Sequence, residues 1–417
     1  MVVRGLQDSK GAEKPSALAP FRIPSFRYQW PADLLTSWAF EMETLILGWY
    51  VLVETDSLML LTVFGSLQFL GTLISPMLGV AGDRVGCRAM LCSMRAFYTV
   101  QASLIMTLGL TGLLEPVFVF AIAFLMGLVR PSDLVMRNSL IGDTIPLAYL
   151  GNAMGVSRTT QDSARIVGAL VGAGLFSALG IGPAYVAVAS FYGLSFLLTL
   201  RVASVRAERE ATDLGFVASA WRDLVDGIRY VWTTPQVLAM MWLAFLVNLT
   251  AFPICNSLLP YVAREVYSVD ENGLGHLVAG YAGGALVASL IMAATGGGRR
   301  SVRMMLVAIA IWYGLLMLFG QMETKATGLP LLTLVGIAQG IGMVSMSVTL
   351  LSTVSARYRG RVQGVRMLCV YSLPLGLLIA GVVIEQIGYA ATVALYSTIG
   401  LLMTALIAWK WRAALAD

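Results

Sequence analysis

The sequence has few charged residues: they make up 12% of 417 residues, whereas ordinary globular domains carry about 25%. Hydrophobic residues account for 58% of the chain, and the mean hydropathy is +0.79. The apolar residues form continuous runs of about 20 residues, which is the length that crosses a bilayer as a helix. This composition excludes a soluble globular protein and predicts an integral membrane protein.

Several features of other protein classes are missing. The apolar runs lack the alternation of barrel strands, so the spans must be helices, which satisfy their own backbone hydrogen bonds. The chain has one histidine, His276, and its four cysteines lack metal-ligand spacing, so we expect no metal site. Gly296-Gly297-Gly298-Arg299 lacks the Lys-Ser/Thr that would complete a phosphate-binding loop. We therefore expect no nucleotide, no other cofactor and no enzyme.

Twelve apolar runs predict an all-α bundle of twelve transmembrane helices. Arginine and lysine concentrate in the loops that follow the even-numbered spans, which accounts for the net charge of +5 without nucleic acid as a partner. By the positive-inside rule, this distribution places both termini in the cytoplasm. The predicted spans cover about 31–53, 57–80, 89–112, 117–136, 152–178, 184–203, 236–260, 273–295, 304–320, 329–353, 362–386 and 388–409.

The sequence also repeats itself. Gly151 and Gly155, with Val after the second glycine, recur as Gly360 and Gly364, 209 residues later, which is about half the chain. This repeat predicts two six-helix halves related by pseudo-two-fold symmetry, with a substrate site between them near the bilayer midplane. We predict an N-terminal tail at 1–30, halves at 31–203 and 236–410, a linker with an amphipathic helix at 204–235 and a C-terminal tail at 411–417.

The loop between the second and third spans carries the pattern Gly-x-x-x-Asp-Arg-x-Gly-x-Arg. Its members are Gly79 (or Gly82), Asp83, Arg84, Gly86 and Arg88. The pattern resembles the signature loop of the major facilitator superfamily, which implies that family's fold and transport by alternating access. We interpret the charged members as a latch that forms in one conformation; the alternative is that they only orient the chain.

Further segments narrow the resemblance. Gly48-Trp49-Tyr50-Val51, Asn152-Ala153, Ala164–Gly168 and Arg359–Val362 are similar to segments of exporters related to the enterobactin exporter and of proton-antiport drug exporters. This resemblance implies export driven by inward proton flow.

Charged residues inside the spans are candidates for proton coupling, since each costs about 2.5–3.5 kcal/mol to insert. Glu41 and Glu43 lie on different faces of the first span, because they are two residues apart. Glu43 is preferred because related exporters tend to have a polar residue there. Arg158, Asp162 and Arg165 share one face of the fifth span. The candidates are Glu41, Glu43, Asp162 and Arg165, and the alternative is a structural ion-pair network.

Other polar residues are assigned to gating or to the cavity. We expect Arg130 and Asp133, near the end of the fourth span, to join Asp83 in an inner gate; the alternative is that they bind substrate. Arg158 is grouped with this gate. Uncharged polar residues within the spans either line the cavity or form hydrogen bonds between helices. They are Gln68, Gln101, Asn248, Asn256 and Gln339.

Together, these observations predict a secondary active transporter that exports a small amphipathic molecule in exchange for protons. We expect a monomer in a bacterial-type inner membrane, with a small-molecule substrate, the lipid bilayer as its surroundings and the proton gradient as its driving force. One alternative is an uncoupled facilitator or importer of the same fold. Another is a transport-inactive membrane sensor or assembly partner.

Overall fold

The computed structural model describes residues 19–72, 85–203, 216–295, 301–355 and 358–415. Within these ranges the chain is mainly helical, and each of the twelve predicted spans overlaps described helices, although residues 73–80 of the second predicted span lie outside the described residues. The first half comprises Pro24–Thr55, Leu58–Leu67 with Leu70–Thr72, Cys87–Thr111, Pro116–Thr144, Leu147–Leu179 and Ile181–Thr199. The second half comprises Pro235–Thr250 continued by Phe252–Cys255, Leu259–Tyr261 and Val262–Val266, then Glu271–Thr295, Ser301–Phe319, Lys325–Thr353, Arg359–Cys369 with Ser372–Ile387, and Tyr389–Lys410. We number them spans 1 to 12 in this order.

Eight described helices are long and apolar enough to cross a bilayer, and a bent helix pair would make a ninth. Spans 1 and 7 miss that test for physical reasons. Span 1 carries Asp33, Glu41 and Glu43 within its apolar run, and span 7 is divided into short helices after Thr250. Within a membrane, irregular backbone is tolerated only where it is buried in protein or lines a water-filled cavity, so these features point to the interior of the bundle.

The first helix begins earlier than the sequence predicts. It starts at Pro24 rather than at 31, with proline in the first turn, where its missing N–H costs no hydrogen bond. Phe26 is buried against Ile141 and Ile145, so the segment that we assigned to the tail packs on the end of span 4.

The linker contains the predicted amphipathic helix, Phe216–Thr233, which meets Pro235–Thr250 at an angle of 109°. It packs against the start of span 11: Arg361 pairs with Asp226 at 3.1 Å, and the rings of Tyr230 and Tyr358 stack at 4.5 Å. The linker helix is therefore attached to the second half of the bundle.

The most extensive described packing between the halves is that of span 5 on span 8 and of span 2 on span 11. Glycines allow close crossings within each half as well. A Cβ on Gly127 in span 4 would overlap the backbone carbonyl of Leu67 in span 2, so only glycine fits at this crossing. The two halves thus enclose a space between spans 1, 2, 4 and 5 on one side and spans 7, 8 and 11 on the other.

Candidate functional site

A cavity of about 570 Å³ lies between the halves. We call its two sides the N-wall, formed by spans 1, 2, 4 and 5, and the C-wall, formed by spans 7, 8 and 11. The volume lies within the range of about 300–1,000 Å³ that is typical of small-molecule sites. Its position between two similar halves is the one that the sequence repeat predicts for a substrate site.

The cavity is closed at the end of the bundle where spans 1 and 2 join, which we call the distal end. There Arg264 of span 7 pairs with Asp56 at 2.9 Å and donates a hydrogen bond to the Leu52 carbonyl at 2.8 Å. Asn272 of span 8 donates to the Ser177 hydroxyl of span 5, also at 2.8 Å. Residues from both halves thus hold this end together.

Towards the opposite end, where the termini lie, the lining residues become accessible. Arg158 lies near the start of span 5 and its side chain is 69% exposed, whereas Glu41, deeper in the cavity, is 25% exposed. The cavity is therefore closed at the distal end and becomes more accessible towards the termini end.

The two carboxylates of span 1 have different surroundings. Glu41 lines the cavity, and its carboxylate lies 3.7 Å from the Arg165 guanidinium. Glu43 points to span 6, where it accepts hydrogen bonds from Tyr192 at 2.8 Å and from Tyr185 at 3.4 Å. Of the two carboxylates, Glu41 is thus the one that lines the described cavity, and the proton-binding role that we assigned by preference to Glu43 stays a prediction.

The charged face of span 5 lines the cavity with Glu41. Arg158 and Asp162 are 3.4 Å apart, and Arg165 reaches the carboxylate of span 1. The i, i+4 and i+7 spacing places all three side chains on the cavity side of the helix. Their role in proton coupling stays a prediction.

The proposed inner-gate pair of span 4 is separated in the structure. Arg130 donates to the Thr44 hydroxyl at 2.8 Å and to the Gln68 side-chain oxygen at 3.1 Å. Asp133 instead pairs with Arg137, one turn along the same helix, because that is the opposite charge within closest reach. Both residues line the cavity, so the alternative that placed them at the substrate site is favoured for Arg130.

The signature loop is described only in part. Gly79, Asp83 and Arg84 lie outside the described residues. Gly86 has a φ of +99°, a conformation that favours glycine, and it precedes the start of span 3. Arg88 donates to the carbonyl of Leu200 at the end of span 6, so in this state it links two helices of the first half.

The uncharged polar candidates divide into two groups. Gln68, Asn248 and Asn256 line the cavity. Gln101 and Gln339 are absent from its described lining, which corrects our assignment of these two residues. Gln101 is 5% exposed, and neither of its amide atoms has a hydrogen-bond partner among the described residues.

Sequence reasoning missed a buried charge cluster within the first half, formed by Asp33, Arg95, Asp133 and Arg137. Asp33 pairs with Arg95 and lies 3.8 Å from Arg137, which in turn pairs with Asp133. These four residues are at most 6% exposed. The signal was available: Asp33 and Arg95 are opposite charges inside predicted spans, and such residues need a partner. Across the described ranges, no group of three His, Cys, Asp or Glu side chains is arranged to hold a metal ion.

Comparison with solved structures supports the fold. The POT family transporter PepTSo superposes with a TM-score of 0.74 at 15% identity, over 94% of this chain and 98% of that one. The nucleoside transporter NupG gives 0.69 at 14% identity, over 94% and 98%. The human organic anion transporter MFSD10 gives 0.62 at 15% identity, over 92% and 99%.

A comparison with curated proteins found no match. The family model of the Major Facilitator Superfamily matches residues 34–374, which is most of the chain and includes spans of both halves. The helical bundle, the cavity between its halves and this match lead to one conclusion: the chain belongs to the major facilitator superfamily and is a multi-pass membrane transporter.

Proposed function

We propose that this transporter is a proton-coupled secondary active transporter of small amphipathic molecules, with Glu41 as its proton-binding group. The observation that supports the proposal is the Glu41–Arg165 pair in the cavity wall, with its long separation of 3.7 Å. Arg165 is 44% exposed at its side chain, so a substrate or a proton can compete for either partner. Protonation of Glu41 removes the ion pair, and a change of charge at this position can bias the two conformations differently.

Two directions of coupling have separate support. Export in exchange for protons follows from the resemblance of several segments to enterobactin-exporter-like proteins and proton-antiport drug exporters. Uptake together with protons is favoured by the charge of the cavity, whose lining contains four arginines and three carboxylates. An excess of positive charge attracts an anion, and protonation of Glu41 increases that excess, so proton and anion would bind together.

The proposed setting follows from the same charges. Arginine-rich loops after the even-numbered spans favour a bacterial-type cytoplasmic membrane with both termini on the cytoplasmic side. In that orientation the distal end faces outward, and the present state faces the cytoplasm. The comparison structures are named for different substrates, nucleosides for one and organic anions for another, so the substrate class must be inferred from this cavity.

Replacement of Glu41 by glutamine is expected to abolish proton coupling while leaving the fold intact. The measurement uses proteoliposomes that contain a pH-sensitive dye, with 3-phenylpropane-1-sulfonate, the matched sulfonamide and the matched trimethylammonium compound as probes. In the wild-type protein, transport of one of these probes should be accompanied by proton movement. If an inward proton gradient accelerates uptake of the probe, the two are co-transported; if an outward proton gradient accelerates it, they are exchanged. In Glu41→Gln, the coupled proton flux should fall at least about 10-fold, because an amide cannot take up the proton.

The matched control is Glu54→Gln, which makes the same chemical change at an exposed position of the same helix. It should retain the wild-type proton flux. Coupled flux that survives in Glu41→Gln, and also in a variant with Glu41, Glu43 and Asp162 all neutralised, would show that the proton is carried elsewhere.

A further inference from the structure

The two walls of the cavity differ in chemistry. The N-wall carries all of the aspartate, glutamate, lysine and arginine side chains of the described lining, whereas the described C-wall has none. The C-wall instead combines apolar and aromatic side chains, among them Phe252, Tyr281 and Leu373, with the amides of Asn248 and Asn256. A molecule that fills the space between them meets a charged surface on one side and a largely apolar surface on the other.

On the N-wall, each carboxylate has an arginine partner. The pairs are Glu41 with Arg165, Asp133 with Arg137 and Asp162 with Arg158. Three pairs account for six of the seven charged residues in the lining, and Arg130 is the seventh. The excess positive charge of the cavity therefore lies at Arg130.

Arg130 is held in place by neutral groups. Its guanidinium donates to the Thr44 hydroxyl at 2.8 Å, to the Gln68 oxygen at 3.1 Å and to the Phe40 carbonyl at 3.5 Å, and it lies 4.5 Å from the centre of the Phe40 ring. These contacts orient the guanidinium without neutralising it. Arginine has five N–H donors in a planar fork, so donors remain for a ligand that enters the cavity.

The nearby carboxylate of Glu43 interacts with Arg130 electrostatically, but among the described contacts it makes no hydrogen bond or close ion pair with it. Glu43 and Arg130 both line a second pocket of about 20 Å³ beside the cavity, but the Glu43 carboxylate accepts its hydrogen bonds from Tyr185 and Tyr192. Arg130 thus lies between a carboxylate held by two phenols and an open cavity, and it presents its charge to that cavity.

The C-wall offers a surface for an apolar body. Phe252 packs edge-on against Trp312, with ring centres 5.2 Å apart, so its ring is supported from behind. Tyr281, from span 8, is 3% exposed, so its ring is fixed within the C-wall. A ring or an alkyl chain that packs here can add apolar and aromatic contact.

We infer that the cavity selects amphipathic organic anions, with an oxyanion head bound by Arg130 on the N-wall and an apolar body packed on Phe252 and Tyr281 of the C-wall. This inference deepens the proposed transport function by assigning its substrate class. It depends on the cavity being the transport site and is independent of the direction of transport and of the group that carries the proton.

The test compares three ligands that share one apolar body and differ in the charge of the head. The ligands are 3-phenylpropane-1-sulfonate, the neutral sulfonamide and the trimethylammonium compound, and binding to the purified full-length protein is measured by calorimetry. The wild-type protein should bind the sulfonate at least about 10-fold more tightly than either other ligand, because a charged pair with arginine is stronger than a neutral hydrogen bond. In Arg130→Gln this preference should fall to within about twofold.

Two control variants are needed. The first tests whether loss of a positive charge outside the cavity changes binding, and the second tests the contribution of the apolar body of the ligand. Arg229→Gln makes the same charge change at an exposed position of the linker helix and should keep the wild-type preference. Phe252→Ala should weaken all three ligands by a similar factor and leave the preference for the sulfonate in place. A thermal unfolding curve of each variant confirms that the bundle is intact.

The inference is overturned if the trimethylammonium compound binds most tightly, if Arg130→Gln keeps the preference for the sulfonate, or if the wild-type protein does not bind the sulfonate. The anion site and proton coupling can be tested separately. A protein that binds the sulfonate through Arg130 but moves no protons with it would uphold the anion site and contradict proton coupling.

Discussion

Replacement of Arg95 by methionine is expected to lower the free energy of unfolding by about 3–5 kcal/mol, because it leaves a buried carboxylate without its main partner. Arg95 is fully buried in span 3, where it pairs with Asp33 of span 1 and donates to the Thr199 hydroxyl of span 6. Methionine fills a similar volume without the charge. The remaining arginine near Asp33, Arg137, is 3.8 Å away and already engaged with another carboxylate.

The double variant Asp33→Asn with Arg95→Met tests this explanation. Because both charges are then removed, much of the lost stability should return, since an uncharged buried pair avoids the cost of desolvating an ion. Arg229→Met, an exposed change of the same kind, should shift stability by no more than about 0.5 kcal/mol. Denaturation in mild detergent provides the measurement. A single Arg95→Met variant as stable as the wild type would contradict a structural role for the cluster.

A disulfide between spans 2 and 7 is expected to stop transport by holding the halves in the present state. A Cβ built on Gly65 lies 3.0 Å from the Cβ of Ser257, and a disulfide needs about 3.5–4.5 Å, so small adjustments suffice. The Leu377 side chain, 2.7 Å from the same Cβ, must also move, and it is flexible. After oxidation of Gly65→Cys with Ser257→Cys, uptake of 3-phenylpropane-1-sulfonate into proteoliposomes should fall at least about 10-fold, because alternating access requires these spans to separate.

The controls for the disulfide concern the native thiols and the single substitutions. Cys87, Cys92, Cys255 and Cys369 are all free, and Cys255 lies two residues from Ser257, so the experiment needs a background in which these four are replaced. Each single-cysteine variant should transport under oxidising conditions, and reductant should restore the double variant. Full transport by protein that is cross-linked completely would mean that these spans stay together throughout the cycle.

The fold was predictable because its main determinant is local. A bilayer requires about 20 apolar residues per span, and that requirement is visible in the sequence without any knowledge of contacts. The repeat of Gly151 and Gly360 likewise falls near the start of spans 5 and 11, the helices that occupy matching places in the two halves. The start of span 1 at Pro24 was missed because the segment 22–30 contains polar and charged residues and does not look like part of an apolar span. Its helix is held in place by Phe26, which packs against span 4, and this contact between distant segments is not visible in the local sequence.

The site was predictable in its residue types and less so in its pairings. Helical spacing correctly separated Glu41 from Glu43, but which of them faces the cavity depends on how span 1 is rotated against spans 5 and 6. Arg130 and Asp133 were grouped because they are three residues apart. Arg137 is a closer partner for Asp133, so the pair divides between the cavity and the buried cluster. Each of these outcomes depends on contacts between helices, which local spacing does not encode.

The central claim is that the two halves exchange a closed distal end for a closed termini end around one cavity. The most direct measurement uses pairs of spin labels at both ends of the full-length protein in lipid nanodiscs. Leu179 with Glu271 reports on the distal end of spans 5 and 8, and Arg158 with Met367 reports on the termini end of spans 5 and 11. Across a titration of pH and of 3-phenylpropane-1-sulfonate, we expect a longer distal distance to appear together with a shorter distance at the termini end. Distances that stay constant at both ends, or that lengthen at both ends together, would contradict alternating access in this protein.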